Sequence, residues 1–244
     1  MSLSIARNEP AVRHSALHAL PHRQAALLAN PATLPEHLAL LREFGTVHRF
    51  TRNDTLFHEG DPAHHILQIA SGTVRLCRHT PDGRRHIAEF GFADDLCGVF
   101  GGSSQSFTAE AVTDVTVIAY PRAQFDRMSE RDPRFRANVL SHLSTHLLSV
   151  QQHTFVLGCR TAKERLASFV LRLAERTGAI HTGRLELSMG RQDIADHLGL
   201  TIETICRAIT ALKNEEVIGV PSTHHLVLRN VEALVELAEG SSLN

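Results

Sequence analysis

The sequence predicts an α+β chain, with a strand-rich roll in its first half and a helical second half that closes with a strand hairpin. Three observations carry this expectation. Short apolar runs separated by turn residues fill positions 46 to about 120 ("HILQIA", "TVRLCRH", "HIAEFGF", "DVTVIAY"). A heptad-spaced apolar seam follows Pro133. The last third then reads helix, strand, two helices across a glycine turn, and hairpin.

Residues 1–30 show weak periodicity and are expected to form a poorly ordered leader. His14, His18 and His22 recur four apart there, a spacing that would alternatively let them hold a metal or haem from one helical face. Residues 31–132 are expected to form an antiparallel sandwich or jelly roll, because the short runs are punctuated by "EGD", "SG", "PDG" and "GG". Within "TPDGRR", Asp82-Gly83 suits the positive φ angles of a two-residue hairpin turn.

Residues 133–158 are expected to be one helix. Leu140, Leu143, Leu147, Val150, Thr154 and Leu157 fall alternately three and four apart, which is an a/d seam. At about 1.5 Å per residue the helix is roughly 35 Å long. A helix buried inside one domain shows the same stripe, but this one joins two compositionally different halves, so a dimer-forming spine is the favoured reading.

Residues 159–244 carry an amphipathic helix ("TAKERLASFVLRLAERTG", stopped by Gly178), a short strand "RLELSM", two helices in "GRQDIADHLGLTIETICRAITALKNEEVIGV", the turn and strand "STHHLVLRN", and a final helix "VEALVELAE". That order is the order of a winged helix-turn-helix. Ile194, Ala195 and Leu198 bury the first helix of the pair, Gly199 supplies the turn, and Thr201 is placed to cap the second. Ile205, Ile209 and Leu212 bury that second helix.

The opposite face of the second helix is polar. Positions 202, 203, 206 and 207 share it near the helix N-terminus. A helix set in the major groove presents its first turns to base edges. Arg207 there suits the O6 and N7 acceptors of guanine, Glu203 can accept from the cytosine amino group, and Cys206 lies between them. Ser188, Arg191, Gln192, Thr201 and Thr204 flank this face and are expected to position the DNA backbone. A bland i, i+4 ion pair between Glu203 and Arg207 is the competing reading. Across 160–213, nine Lys and Arg face six Asp and Glu, a local excess of 3 where phosphate contacts are needed.

Over the whole chain the formal net charge is only -1, which makes no global case for nucleic acid. No run reaches the roughly 18 apolar residues of a membrane-spanning helix, and the N-terminus lacks a signal-type apolar core, so a cytoplasmic protein is expected. Cys77, Cys97, Cys159 and Cys206 form no CxxC pair and are expected as free thiols. No P-loop, GxSxG, HExxH or dinucleotide fingerprint is present, so an enzyme is not expected.

After about residue 30 the chain resembles the CRP/FNR family of bacterial transcription regulators, most strongly over "LSMGRQDIADHLGLTIETICRAITAL". The resemblance implies a cyclic-nucleotide-binding-type β-roll, a long dimerisation helix and a C-terminal winged helix acting with RNA polymerase. Members that bind cyclic AMP grip its phosphate with an Arg-Ser pair. The matching region here, "DDLCGVFGGSSQSFTAEA", has Phe107 and Thr108 in those places, which makes cyclic AMP improbable. The oxygen-sensing branch holds an iron-sulfur cluster on N-terminal cysteines, and residues 1–76 contain none. No cofactor is therefore expected, and the resemblance narrows to the FixK-like branch. Ile202 stands where cyclic-AMP-type members carry a further base-reading Arg, which favours a TTGAT-type half-site. Cys206 replaces the Ser of that branch and is a candidate redox residue. The alternative function is a haem- or metal-responsive sensor built on the roll histidines His64, His65, His79 or His86.

Overall fold

The computed structural model describes residues 39–99 and 102–240. The expected leader, with His14, His18 and His22, lies outside the described residues. After a 3₁₀ turn at Ala39–Phe44 the chain lays down eight strands: β1 Thr46–Phe50, β2 Thr55–Phe57, β3 His65–Ser71, β4 Val74–His79, β5 Arg85–Gly91, β6 Leu96–Cys97, β7 Thr108–Ala111 and β8 Val115–Pro121. They form two antiparallel four-stranded sheets, ordered β1-β8-β3-β6 and β2-β7-β4-β5. Alternation makes the sandwich. Val115, Val117 and Ala119 of β8 turn inward to meet Leu67, Ile69, Val74, Ala109 and Ala111, while the intervening residues of β8 are partly exposed.

The hairpin between β4 and β5 differs from expectation. His79 pairs with Arg85, and Thr80 N–H donates to the Arg84 carbonyl, so the loop is three residues, Pro81 to Gly83. Proline fixes the first turn position. Gly83 N–H then closes on the Thr80 carbonyl, and only Gly83 adopts positive φ (81°). The Pro81 signal outweighs the Asp82-Gly83 one.

Helix α1 (Arg122–Arg131) leads into α2 (Pro133–Cys159). Asp132 caps α2 by accepting from the N–H groups of Arg134 (2.8 Å) and Phe135 (3.3 Å), with Pro133 in the first turn. Phe135 meets Phe125 edge-on at 5.1 Å, in a small core with Leu41, Ile66, Leu96 and Tyr120. Beyond Phe135, α2 has no fully buried residue.

The C-terminal half holds α3 (Ala162–Arg176), α4 (Ala179–Thr182), β9 (Arg184–Glu186), α5 (Arg191–Leu198), α6 (Ile202–Asn214), β10 (Ile218–Ser222), β11 (His225–Leu228) and α7 (Val231–Glu239). A Thr161–Glu164 capping box starts α3. The one-turn α4, between two left-handed glycines (Gly178 and Gly183), is an addition to the sequence reading. The strand is shorter than "RLELSM", because Leu187 and Met189 turn into the core ahead of α5. β9, β10 and β11 form the wing sheet, in the order β10-β11-β9.

One core crosses the boundary between the halves. Cys77, Ile87, Phe90 and Val112 of the roll pack in the same cluster as Leu166, Phe169, Ile194 and Leu198. The winged helix is therefore docked on the outer face of the β2-β7-β4-β5 sheet, chiefly through α5 against β5. Among the described residues no helix is long and apolar enough to cross a membrane.

Candidate nucleic-acid interface

Helix α6 is built by local chemistry. Gly199 ends α5 at φ 62°, a left-handed geometry that a side chain resists. Thr201 Oγ1 then accepts from the Thr204 N–H at 3.2 Å and starts α6. Ile205, Ala208, Ile209 and Leu212 are buried beneath. Burying that stripe turns the other face outward, with Glu203 and Arg207 exposed and Cys206 half-buried.

The ion pair of the competing reading does not form. Among the described residues Arg207 has neither an ion-pair nor a hydrogen-bond partner, so its five donors face solvent. The Glu203 carboxyl is held below the ordinary carboxylate range, first by hydrogen bonding to its own backbone N–H, then by the Thr201 side chain. It is thus an acceptor only. A shallow open depression along the same face is lined by Cys206, Arg207, Thr210, Ala211 and Asn214. Thr210 and Asn214 were not foreseen, although Thr210 lies three and four residues on from Arg207 and Cys206, and Asn214 a further turn along the same face.

The flanking residues fall into different settings. Arg191, first in α5, donates from Nη1 to the Cys206 sulfur at 3.3 Å, joining two residues that sequence reasoning treated separately. Gln192 donates its amide to Asp196 at 2.7 Å. The hydroxyl of Thr204 meets that of Thr201 at 3.0 Å. Ser188 faces the roll, where its hydroxyl accepts from Thr73 Oγ1 at 3.0 Å.

Basic side chains are less available than their number suggests. Lys163 pairs with Glu215, Arg176 with Asp95, and Arg165 caps the Leu198 carbonyl at 3.1 Å. Arg172 is half-buried and reaches His153. Arg184, Arg207 and Lys213 remain exposed. Compensation comes from the roll, where Arg85 pairs with Asp193 and with Asp196 (2.8 Å), and Arg75 reaches Asp193 at 3.3 Å. Two of the six acids counted against DNA binding are thereby neutralised from outside the domain. Beside them His197 donates Nδ1–H to the Ile87 carbonyl at 3.0 Å, stacks on His153 at 4.3 Å and meets Phe90 and Phe169 edge-on. Burial, then the charges of His153 and Arg172, pushes its imidazole down to about 3.

In the roll, the place of the phosphate-gripping Arg-Ser pair is filled from within. The Arg78 guanidinium lies 4.8 Å over the Phe107 ring and donates to the Ser106 carbonyl, and Thr108 Oγ1 accepts from the Glu59 N–H at 3.0 Å. His64, His65, His79 and His86 are all exposed, and of these only His79 stands in a ligand-capable cluster among the described residues.

Comparison with known proteins assigns this architecture. Residues 47–132 match the cyclic nucleotide-binding domain family and residues 164–237 the Crp-like helix-turn-helix domain family. The nitrogen fixation regulation protein FixK of Azorhizobium caulinodans is 34% identical over 239 residues, covering 96% of each chain. The chain belongs to the CRP/FNR family, in its FixK-like branch. The FixK of Rhizobium meliloti is 36% identical over 217 residues, covering 87% of this chain and 98% of that one. The solved structure of FixK2 from Bradyrhizobium japonicum superposes with a TM-score of 0.75 at 31% identity, covering 79% of this chain and 96% of that one. CRP/FNR proteins are transcription regulators, and α5, the Gly199 turn and the capped α6 form this chain's Crp-like helix-turn-helix.

Proposed function

We propose that this chain is a homodimeric transcription activator that reads a TTGAT-type palindrome through α6 and acts with RNA polymerase. The observation that carries the reading is the exposed face of α6, where an unpaired Arg207 and an ionised Glu203 flank Cys206. A guanidinium with no internal partner loses little on meeting guanine, and an acceptor-only carboxylate suits the cytosine amino group. Arg191 and Gln192 at the start of α5, with Thr201 and Thr204, are the backbone-positioning set, and Ser188, held by Thr73 of the roll, drops out of it. The names of the FixK relatives and of the transcriptional activatory protein AadR support regulation by activation.

Dimerisation through α2 is supported by its unpartnered apolar face. Leu140 and Leu147 are each 57% exposed and Val150 47%, with Thr154 exposed and Leu143 and Leu157 half-buried. Leu148 and Phe155, also exposed, widen the stripe. A second α2 would remove this surface from water. Two-fold symmetry then places the reading helices on half-sites about one turn of DNA apart. The filled Phe107–Thr108 corner supports a regulator that does not use cyclic AMP.

Cys206 makes DNA binding sensitive to oxidation in this proposal. The Arg191 guanidinium donates to its sulfur at 3.3 Å, and an oxidised sulfur would add bulk and negative charge at that contact and at a polyanionic surface. The test is selection of bound DNA from a random pool by the purified full chain, with and without reductant. Recovery of a palindrome with TTGAT-type arms is the expected result. An asymmetric site, or none, would overturn it.

A further inference from the structure

The strongest feature outside the reading head lies where β4 and β7 pair. Arg75 faces Glu110 and Cys77 faces Thr108 across this ladder. Side chains two apart on a strand share a face, so Arg75, Cys77 and His79 stand in a row on β4. The Cys77 sulfur, a ring nitrogen of His79 and a carboxylate oxygen of Glu110 all lie within 4.8 Å of one another. Cys77 is buried, Glu110 half-buried and His79 exposed, which gives the cluster a closed floor and an open mouth.

We propose that Cys77, His79 and Glu110 form a binding site for a borderline-soft divalent cation of the zinc type, with water in the fourth position. A thiolate, an imidazole and a carboxylate are the ligand classes such a cation takes in tetrahedral sites. Bonds of about 2.0–2.3 Å place tetrahedral ligand atoms roughly 3.3–3.8 Å apart, so from separations within 4.8 Å each pair needs to approach by about 1.5 Å at most. His79 is free to swing inward. On binding, the Cys77 S–H bond breaks, its proton leaves to solvent and the sulfur–metal bond forms, with no change of oxidation state.

Arg75 competes with the cation for Glu110. Arg75 Nε donates to Glu110 at 2.7 Å, and its Nη1 reaches Asp193 of α5 at 3.3 Å. Without metal, Arg75 supplies the positive charge that Glu110 faces. A dication takes over that role, releases Nε from Glu110 and leaves Arg75 held by Asp193 alone. The site is thus one side chain away from the contact that docks the winged helix, which makes occupancy an input to the regulator separate from Cys206.

Cobalt(II) is the probe, titrated into metal-free full chain in which Cys159→Ser and Cys206→Ser remove the accessible thiols. One equivalent should develop a thiolate-to-cobalt band in the near ultraviolet with the visible bands of tetrahedral cobalt, and zinc should bleach both. Cys77→Ser should abolish the thiolate band. Because Cys77 is a core residue, the exposed His79→Ala carries the same test without risk to folding and should weaken binding at least about tenfold, the scale at which losing even an outer-shell partner is felt. Arg75→Gln, by freeing Glu110, should tighten it. No thiolate band in the parent, a band that survives Cys77→Ser, or an affinity unchanged by His79→Ala would overturn the site. Unchanged or weaker binding in Arg75→Gln would overturn the exchange.

Discussion

Replacing Arg85 by alanine should loosen the winged helix from the roll. Arg85 donates to Asp193 and Asp196, whose side chains are only 12% exposed. Charge-assisted hydrogen bonds contribute about 1.5–3 kcal/mol each. The loss is cushioned, because Asp193 keeps Arg75 and Asp196 keeps the Gln192 amide at 2.7 Å. We therefore expect about 2 kcal/mol for the pair of bonds, less than the roughly 3 kcal/mol that two uncushioned bonds would contribute at the low end. For a unit of some two hundred residues that corresponds to a drop in melting temperature of roughly 4–8 °C. Thermal unfolding followed by circular dichroism would measure it, and high salt should shrink the difference between variant and parent. Arg84→Ala is the control, since Arg84 pairs only with Asp82 on the exposed hairpin and should change the melting temperature little. An Arg85→Ala variant that melts with the parent, or no more than Arg84→Ala shifts it, would refute the clamp.

Three further expectations follow from the same geometry. Leu143→Asp with Val150→Asp should give monomers in sedimentation, and a double variant that still sediments as a dimer contradicts the α2 seam. Peroxide should lower specific DNA affinity, with Cys206→Ser preserving binding and removing the effect; a Ser variant as sensitive as the parent shows that Cys206 is not the switch. Acid should destabilise the docked state through His197. Its folded value of about 3 lies below the ordinary histidine value of about 6.5, so between these two the unfolded chain binds a proton that the folded one refuses. Stability should fall by about 1.4 kcal/mol per pH unit from this residue as pH drops through that window, and be unaffected by it above pH 6.5. Urea unfolding across pH should show a shallower slope in His197→Phe, and an identical slope would exclude the assignment.

The helix-turn-helix was legible because its signals are local. Gly199, Thr201 and the Ile205, Ile209, Leu212 stripe lie within a dozen residues and act through turn geometry, capping and helical period. The α2 helix and its apolar stripe were legible for the same reason, although an a/d template passes over Leu148 and Phe155. The clamp was not, because Arg75 and Arg85 meet Asp193 and Asp196 across more than a hundred residues, and no local pattern marks such a pair. Asp193 and Asp196 consequently looked like charges set against DNA. The β4–β5 hairpin was misjudged where two turn signals overlapped and Pro81 outweighed Asp82-Gly83. His79 looked like one of four surface histidines until pairing of β4 with β7 set Glu110 beside it.

The central claim is that α6 reads bases through Arg207 while α5 holds the backbone through Arg191. It is tested most directly by measuring the affinities of the Arg207→Ala and Arg191→Ala proteins for the selected site, for the same site with its guanines replaced, and for random DNA, all at one salt concentration. Arg207→Ala should lose about 1–3 kcal/mol of discrimination at a guanine, while Arg191→Ala should weaken all three DNAs alike. Equal losses on specific and random DNA for Arg207→Ala would contradict the account.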